Sequence, residues 1–491
     1  MTKPAFQKKL MSLPDHWLKI ILYFFSKGIT DALLALRGII LASFLGPEAF
    51  GGWVLFRLAT NYCAFAHFGV HNGLEFEVAR SKDQPGKLQG VYYWRSALGF
   101  VLLVFGIIAS ITLSASFFVE DRAMVLGMRW FSGAILCEQV WLLGLSYLRA
   151  IGNLRVYAIG EVTNASLQFI FASVLAPVWG LSGAFAGFVL AMAVSLIFLV
   201  RRLVKTPALS FVHLHKMLKV GFPILVSLLI GFILASADRL VVASHKDIAL
   251  LGWYGFAFSI AGIAGSLAWV IRVVIFPEVY ARVATDGVGP ALAVHLKEIV
   301  LPFARIIPPV IGLMALLMGP VIEAVLPQYT NAIPAARILI FIGATAGFER
   351  LGTLGVVAAE RQRYLPYFSG GGLILNVSLS FLALRCGIGL QGVAAAAVFS
   401  NAMFGITTLA LLASLANGTR PAPYLLKVVF PLLWCTLSVF FVANFLAEPG
   451  VYRFLASVGI YLVTIIPLVP GALSEIRKVQ DQSTRSLLRY G

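Results

Sequence analysis

Fourteen ionisable side chains sit inside or at the margins of long apolar runs: Lys27, Asp31, Arg37, Arg57, Glu138 and Glu161 in the first half of the chain, and Asp238, Arg239, Arg272, Arg305, Glu323, Arg337, Glu349 and Arg350 in the second. A charge at the centre of a bilayer costs about 2.5–3.5 kcal/mol on insertion scales, so each needs a partner, water or a ligand. Guanidinium stays charged when partly buried, and its planar fork matches phosphate and carboxylate oxygens. Arg37, Arg57, Arg239 and Arg272 lie on the first two apolar runs of each half. Two readings of them stand: they line a central cationic cavity that receives an anion, or they anchor helix ends. The second is strongest for Arg239 and Arg272, which lie near the ends of their runs. Lys27 joins this cationic set, and Asp31, four residues on, shares its helix face, where it is a candidate either for an ion pair with Lys27 or for coupling. Glu138 lies deep, where it is either a proton-linked carboxylate or the partner of a group such as Arg129 or a hydroxyl. Asp238 and Glu349 complete the acidic residues expected to form ion pairs or take part in coupling. Adjacent helical positions point about 100° apart, so no direct side-chain bridge between Asp238 and Arg239 is assumed.

The elements that must position these groups follow from composition. Of 491 residues 60% are hydrophobic and 12% charged, against about 25% charged in soluble domains. The apolar material comes in blocks long enough for a helix to cross about 30 Å of hydrocarbon, without the alternation of a membrane barrel. An all-α polytopic membrane protein is expected, with fourteen transmembrane helices; the second covers 50–73 and the tenth 333–358. The apolar run after the basic N-terminus reads as a retained first span. Cations between spans alternate in abundance: Arg80, Lys82, Lys87, Arg149, Arg155 and Arg201 fall on the side of the N-terminus, while Arg122 and Lys246 fall opposite. The positive-inside rule then places both termini in the cytoplasm. The net charge of +17 is mostly a cytoplasmic-face feature facing anionic headgroups, and nucleic acid is not needed as a partner. The largest loops, 74–90, 201–217 and 277–299, are too short for a catalytic domain. Cys63, Cys137, Cys386 and Cys435 are scattered without metal-ligand spacing. No phosphate-cradling loop for ATP is present, and no cofactor is expected.

The chain repeats itself. "GLSGAFAGFVL" (Gly180–Leu190) and "GLQGVAAAAVF" (Gly389–Phe399) share Gly-Leu-x-Gly followed by small residues at one-turn spacing, which lets helices approach closely. Arg37, Gly52-Trp53, Phe76 and Arg80 parallel Arg239, Gly252-Trp253, Phe276 and Arg282, and "LRVY" (Leu154–Tyr157) parallels "RQRY" (Arg361–Tyr364). Six spans per copy is an even number, so two six-helix lobes are expected, related by a pseudo-two-fold along the membrane normal, with a site between them. The expected organisation is an N-lobe at 1–200 (helices 1–6), a cytoplasmic inter-lobe linker at 201–217, a C-lobe at 218–414 (helices 7–12), two C-terminal accessory helices 13–14 at 415–471, and a basic cytoplasmic tail at 472–491.

"ILASFLGPEAFG" (Ile40–Gly51), "FGVHNGLEFEVAR" (Phe68–Arg80), "GFPILVSLLIGFILASADRLVVA" (Gly221–Ala243), "LGWYGFA" (Leu251–Ala257) and the two Gly-Leu-x-Gly segments give the chain a likeness over essentially its whole length. It resembles the polysaccharide-transporter (O-antigen/exopolysaccharide flippase-like) family of the multidrug/oligosaccharidyl-lipid/polysaccharide exporter superfamily. The resemblance implies lobes alternately open to cytoplasm and periplasm. It also implies movement of a polyprenyl-diphosphate-linked oligosaccharide, a polysaccharide repeat unit, across the bacterial inner membrane. Arg37, Arg57, Arg239 and Arg272 match the family's cationic cavity, and spans 13 and 14 its accessory pair. Transport is then driven by an ion gradient or the membrane potential, in company with membrane lipids, a polysaccharide polymerase and a chain-length regulator.

Two other function classes were weighed. A cation-coupled multidrug or small-molecule exporter of the same superfamily is the alternative; fourteen spans and an arginine-rich interior weigh against it. A membrane glycosyltransferase or polymerase needs acidic residues on substantial outer loops. Glu48, Glu120, Asp121, Asp247 and Glu448 are too dispersed for that, and the chain reads as no enzyme.

Overall fold

The computed structural model describes the backbone of residues 15–81, 89–200, 203, 206–245, 247–416, 420–445 and 451–474. Side chains are described from residue 26, except those of 89, 123, 200, 266–278, 280, 281, 284, 444, 445 and 451–453. The basic N-terminus, the linker residues Arg201, Arg202 and Lys205, the tail from 475 and the Arg272 side chain therefore lie outside the described residues.

The chain divides into two units, Met1–Phe232 and Ile233–Gly491. The first holds α1 (Asp15–Ala64), a 3-10 turn (Phe65–His67), α2 (Val70–Arg80), α3 (Gln89–Ala115), α4 (Arg122–Ala150), α5 (Leu154–Val200) and the first part of α6 (Phe211–Ser244). The second holds the rest of α6, then α7 (Ile248–Asp286), α8 (Val288–His295), α9 (Leu301–Val325), α10 (Ile333–Leu339) and α11 (Ile342–Ala358). It ends with α12 (Leu365–Arg385), α13 (Leu390–Leu415), α14 (Pro421–Phe445) and α15 (Val451–Ile465). No strand occurs among the described residues. The boundary falls within α6, so one helix belongs to both units.

Twelve described stretches are long and apolar enough to cross a membrane. Two are of double length, Ser26–His67 with 42 residues and Leu154–Leu199 with 46; at 1.5 Å per residue each is about 60–70 Å long, twice the hydrocarbon thickness. Each contains one non-helical residue. Gly46 takes φ 72°, ψ 170° ahead of Pro47, and Gly180 takes φ 56°, ψ −135°. Only glycine enters such conformations at low cost, and proline lacks the N–H that a continuing helix would use. Each glycine thus marks the point at which a long helix breaks.

The Gly-Leu-x-Gly motif has a concrete geometry. Gly389, which precedes α13, has φ 72°, ψ −152°, close to the values at Gly180. The motif's second glycine packs against the preceding helix. A Cβ at Gly183 would meet the Leu175 carbonyl oxygen at 2.0 Å, and one at Gly392 the Ala383 Cβ at 2.7 Å. The first glycine turns the chain and the second lets the two arms close, in both units alike.

Several expected loops and spans are differently divided. Residues 277–299 were expected as a loop and are helical, interrupted at Gly287 (φ 81°). Span 2 ends in a 3-10 turn followed by Phe68 (φ 50°) and Gly69 (φ 90°), after which α2 occupies part of the expected loop. The stretch expected as span 10 is split into α10 and α11. Two of the acids weighed as outer-face chemistry are helix caps: Asp121 accepts from the Met124 N–H at 2.8 Å, and Asp247 from the Leu250 N–H at 3.1 Å.

In the first unit α2 lies backbone to backbone against α6. A Cβ on Gly221 would sit 1.9 Å from the Gly69 carbonyl oxygen, and one on Gly73 would sit 2.0 Å from that of Met217. Val70, Leu74 and Val78 carry the contact into a core with Trp94, Val101 and Leu143. In the second unit α14 and α15 are fastened to α9. Tyr461 donates its hydroxyl to the Pro309 carbonyl at 2.9 Å over Gly312, and Trp434 donates to the Thr464 carbonyl at 2.7 Å. Overpacking a close contact costs about 1–3 kcal/mol. Gly221→Ala is therefore expected to lower the thermal unfolding midpoint in detergent, while Gly370→Ala, with nothing within 4 Å of its added methyl, leaves it unchanged. Equal midpoints for the two variants would refute the backbone contact.

Candidate functional site

The first unit's two candidate arginines, Arg37 and Arg57, are carried by α1, one on each side of Gly46. On the second arm Trp53, Phe56 and Arg57 follow helical i, i+3, i+4 spacing and share a face. On α5, beyond Gly180, Phe185 and Phe188 do the same. The faces meet: Phe56 and Phe185 have ring centroids 4.4 Å apart, and Trp53 and Phe188 6.0 Å. The Arg37 guanidinium lies over Trp53 at 5.1 Å, and that of Arg57 over Phe188 at 4.4 Å. Two cations therefore flank one aromatic cluster, held in part by the negative faces of its rings.

Each arginine also has polar partners. Arg57 donates from Nη1 and Nη2 to Glu138 Oε1, both at 3.1 Å, and from Nη2 to Asn61 Oδ1 at 3.3 Å. Glu138 is buried, with 8% of its side chain exposed. Arg37 donates to Gln168 Oε1, which begins a relay: Gln168 donates to Asn164 Oδ1 at 2.6 Å and Asn164 to Ser195 Oγ at 2.8 Å. The Arg37 Nε is buried without a hydrogen-bond partner.

Lys27 and Asp31 pair at 2.9 Å on α1, as their spacing predicts. In the second unit Asp238 is 2% exposed and accepts from the Tyr254 hydroxyl at 2.7 Å and from the Arg239 backbone N–H at 2.8 Å. Arg239 donates from Nη2 to the Ala235 carbonyl at 2.7 Å and stacks on Phe258 at 3.7 Å. Its Nε stands 3.8 Å from Asp238 Oδ1, an ion contact too long for a hydrogen bond, so this atom too is buried without a hydrogen-bond partner. Glu349 accepts from Thr353 Oγ1 at 3.3 Å, and Arg350 donates to the Gly265 carbonyl at 2.9 Å.

Of the residues singled out by sequence, Arg57 is joined to Glu138, Lys27 to Asp31, and Arg239 loosely to Asp238. Glu138 does not meet Arg129, which lies over Phe117 at 5.3 Å and reaches Ser116 at 3.5 Å. Sequence reasoning missed Gln168, Tyr254, Phe188 and Phe258. Trp53 was in view as part of the repeat, without a role. Its repeat equivalent Trp253 donates to the Gln328 carbonyl at 3.3 Å and leaves the arginine-on-ring contact to Phe258. No group of three His, Cys, Asp or Glu side chains able to hold a metal occurs among the described residues.

This arrangement of helices is the fold seen in the solved structures of a lipid II flippase and of multidrug resistance transporters, and the chain is a multi-pass membrane protein. It is similar to the lipid II flippase MurJ in an inward closed conformation, with a TM-score of 0.66, 14% identity, and coverage of 91% of this chain and 98% of that one. It is also similar to a multidrug resistance MATE family transporter in an inward-facing conformation, with a TM-score of 0.58, 16% identity, and coverage of 84% and 96%. A superfamily transporter from Pyrococcus furiosus, described as having a binding pocket of reverse polarity, aligns with a TM-score of 0.51, 16% identity, and coverage of 86% and 96%. The chain belongs to the polysaccharide biosynthesis protein family, which it matches over residues 40–334, more than half its length. No curated protein matches it in sequence.

Removing one partner of a buried ion pair leaves an uncompensated charge and costs about 3–5 kcal/mol, whereas replacing both is close to neutral. Arg57→Met is therefore expected to destabilise the protein strongly, and Arg57→Met/Glu138→Gln to recover most of the loss. Thermal unfolding of the three variants, including Glu138→Gln alone, closes the cycle. Additive single effects would separate the two residues.

Proposed function

We propose that this protein is a flippase that moves a polyprenyl-diphosphate-linked oligosaccharide, a polysaccharide repeat unit, across the bacterial inner membrane by alternating access. The observation that carries the reading is common to the two repeat-equivalent arginines. Arg37 and Arg239 each lie on an aromatic face and each keep a buried Nε–H that no acceptor among the described residues takes. A buried donor left unmade is costly, and diphosphate oxygens are well suited to take it. Membership of a polysaccharide biosynthesis family supports a glycan as cargo.

In this reading Arg37, Arg57, Arg239 and Arg272 form the cationic site, assisted by Lys27, and the polyprenyl tail stays in lipid. The double-length helices α1 and α5 each make two passes, so that fourteen spans put both termini in the cytoplasm. The six-span lobes at 1–200 and 218–414 move against each other, with 415–471 as the accessory pair. An ion gradient or the membrane potential drives the cycle. The protein performs no bond chemistry, and a polymerase and a chain-length regulator receive its product.

Arg37→Ala and Arg239→Ala are expected to leave the protein inserted in the membrane and to abolish surface glycan export, read by immunoblot of surface polysaccharide in a strain lacking the native gene. Arg→Lys at either position rescues poorly, because an ammonium lacks the planar fork. Export that survives both single changes and the double change sinks the cationic site. Unchanged glycan together with altered small-molecule efflux selects the exporter reading.

A further inference from the structure

Every carboxylate expected to serve in coupling is already engaged: Asp31 by Lys27, Glu138 by Arg57, Asp238 by Tyr254, Glu349 by Thr353. One buried histidine, in contrast, has a ring nitrogen left open. His71, in the first turn of α2, is 6% exposed, and its Nε2 is buried with no hydrogen-bond partner among the described residues. It lines a cavity of about 180 Å³ within the first unit, with His67, Asn72, Ser146, Arg149 and Glu161 as its other polar walls. The ring of His71 lies flat on that of His67, with centroids 4.1 Å apart and planes inclined by 10°.

The backbone fixes which of the two rings can change charge. The Gly69 N–H donates to His67 Nδ1 at 2.9 Å, so that nitrogen is an acceptor and His67 is neutral, with its proton on Nε2. The donation depends on the turn at Phe68 (φ 50°) and Gly69 (φ 90°). Two imidazolium rings stacked at that separation repel each other, so the pair takes up one proton and not two. The charged groups facing His71 are few. Arg149 of α4 opposes a proton but is itself paired with Glu75, both contacts at 3.2 Å, and touches Tyr157 at 3.4 Å. Glu161 of α5 is the other charged group on the cavity wall, to which α6 contributes Leu225 and Leu228. The fold itself does not demand the pair. At the offset that aligns Phe76 with Phe276, His67 and His71 correspond to Leu267 and Ile271 in the second unit.

We propose that His71 is a proton-binding residue that couples the transport cycle to protons, with the stacked His67 limiting the site to one added proton. The coupling half of this rests on the transport reading above; the proton site does not. The proton goes to the lone pair of the His71 ring and is released from the same atom. Its effect has a mechanical path, because Gly69 and Gly73, on either side of His71, are the residues whose backbone lies against Met217 and Gly221 of α6. That helix continues beyond Phe232 into the second unit.

The first test is a titration of the full-length protein in lipid nanodiscs with ring-labelled histidine, followed by NMR between about pH 5 and pH 8, the range in which histidine ordinarily changes charge. Of the seven histidines, exposed ones such as His215 and His245 titrate in every variant; one further titrating resonance is expected, absent in His71→Gln, and His67→Gln keeps it and raises its midpoint. The second test measures surface glycan in cells treated with nigericin, which collapses the pH gradient. Wild-type export is expected to fall, and export by His71→Gln to be low beforehand and no longer to respond. A His71 resonance that stays unprotonated throughout overturns the site. Titration with equal nigericin responses in wild type and His71→Gln overturns the coupling. Export unaffected by deleting the whole gene defeats the transport reading instead, and the titration still decides the proton site. His71→Asn is the second variant should His71→Gln fail to keep the wild-type melting temperature.

Discussion

The constraint on which the rest of this structure depends is that ionised side chains inside hydrocarbon must be compensated where they stand. The first unit meets it with two devices. Arg57 is closed by a carboxylate on α4, and Arg37 by an amide relay into α5; both cations also rest on rings supplied by α1 and α5. These bonds tie the two arms of α1 to α4 and α5 across long sequence separations. A buried ion pair adds little stability over a well-packed apolar replacement. The Arg57–Glu138 pair is therefore poorly explained as a fastening. Under the proposed function it is a charge held ready for an anionic headgroup.

Close approach of helices is the second constraint, and glycine meets it. Gly69, Gly73 and Gly221 bring two backbones to a distance that no side chain permits. These same glycines stand in "FGVHNG" and "GFPILV", two of the segments through which the family likeness was legible. In lipid, where burying apolar surface between helices gains little, such packing carries much of the association. The Gly-Leu-x-Gly segments belong to the same economy: their first glycine has nearly the same backbone conformation in both units, at Gly180 and at Gly389.

Period and composition made the helical class, the membrane setting and the repeat readable, because each is a property of local sequence. The ion pair Lys27–Asp31 was readable for the same reason, its partners being one helical turn apart. Partners separated by long stretches of chain were not. Glu138 and Arg57 were each recognised as embedded charges, but nothing local shows that α4 brings one to the other, and Arg129, nearer in sequence, was the natural wrong choice. The helix over 277–299 was hidden for a different reason. Its Pro277, Gly287 and Pro290 are turn signals, yet only Gly287 interrupts the helix. The His67–His71 stack depends on left-handed backbone at Phe68 and Gly69, and a phenylalanine there does not advertise itself as a turn residue.

The repeat also separates what the two units share from what they do not. The glycine turns recur with the same geometry, so the mechanical skeleton is duplicated. The arginine-on-ring contact recurs as well, but with a different ring in the second unit, Phe258 in place of the tryptophan at the matching position. The polar chemistry does not recur. Arg37 leans on a neutral amide, whereas Arg239 stands beside an aspartate whose charge is shared with Tyr254. The positions of the stacked histidines are occupied by leucine and isoleucine in the repeat. Under the proposed function, two units with equal mechanics and unequal charges respond unequally to a single anionic cargo. That inequality is what a vectorial carrier needs, since a carrier symmetric in both shape and charge would have no preferred order in which its halves engage and release.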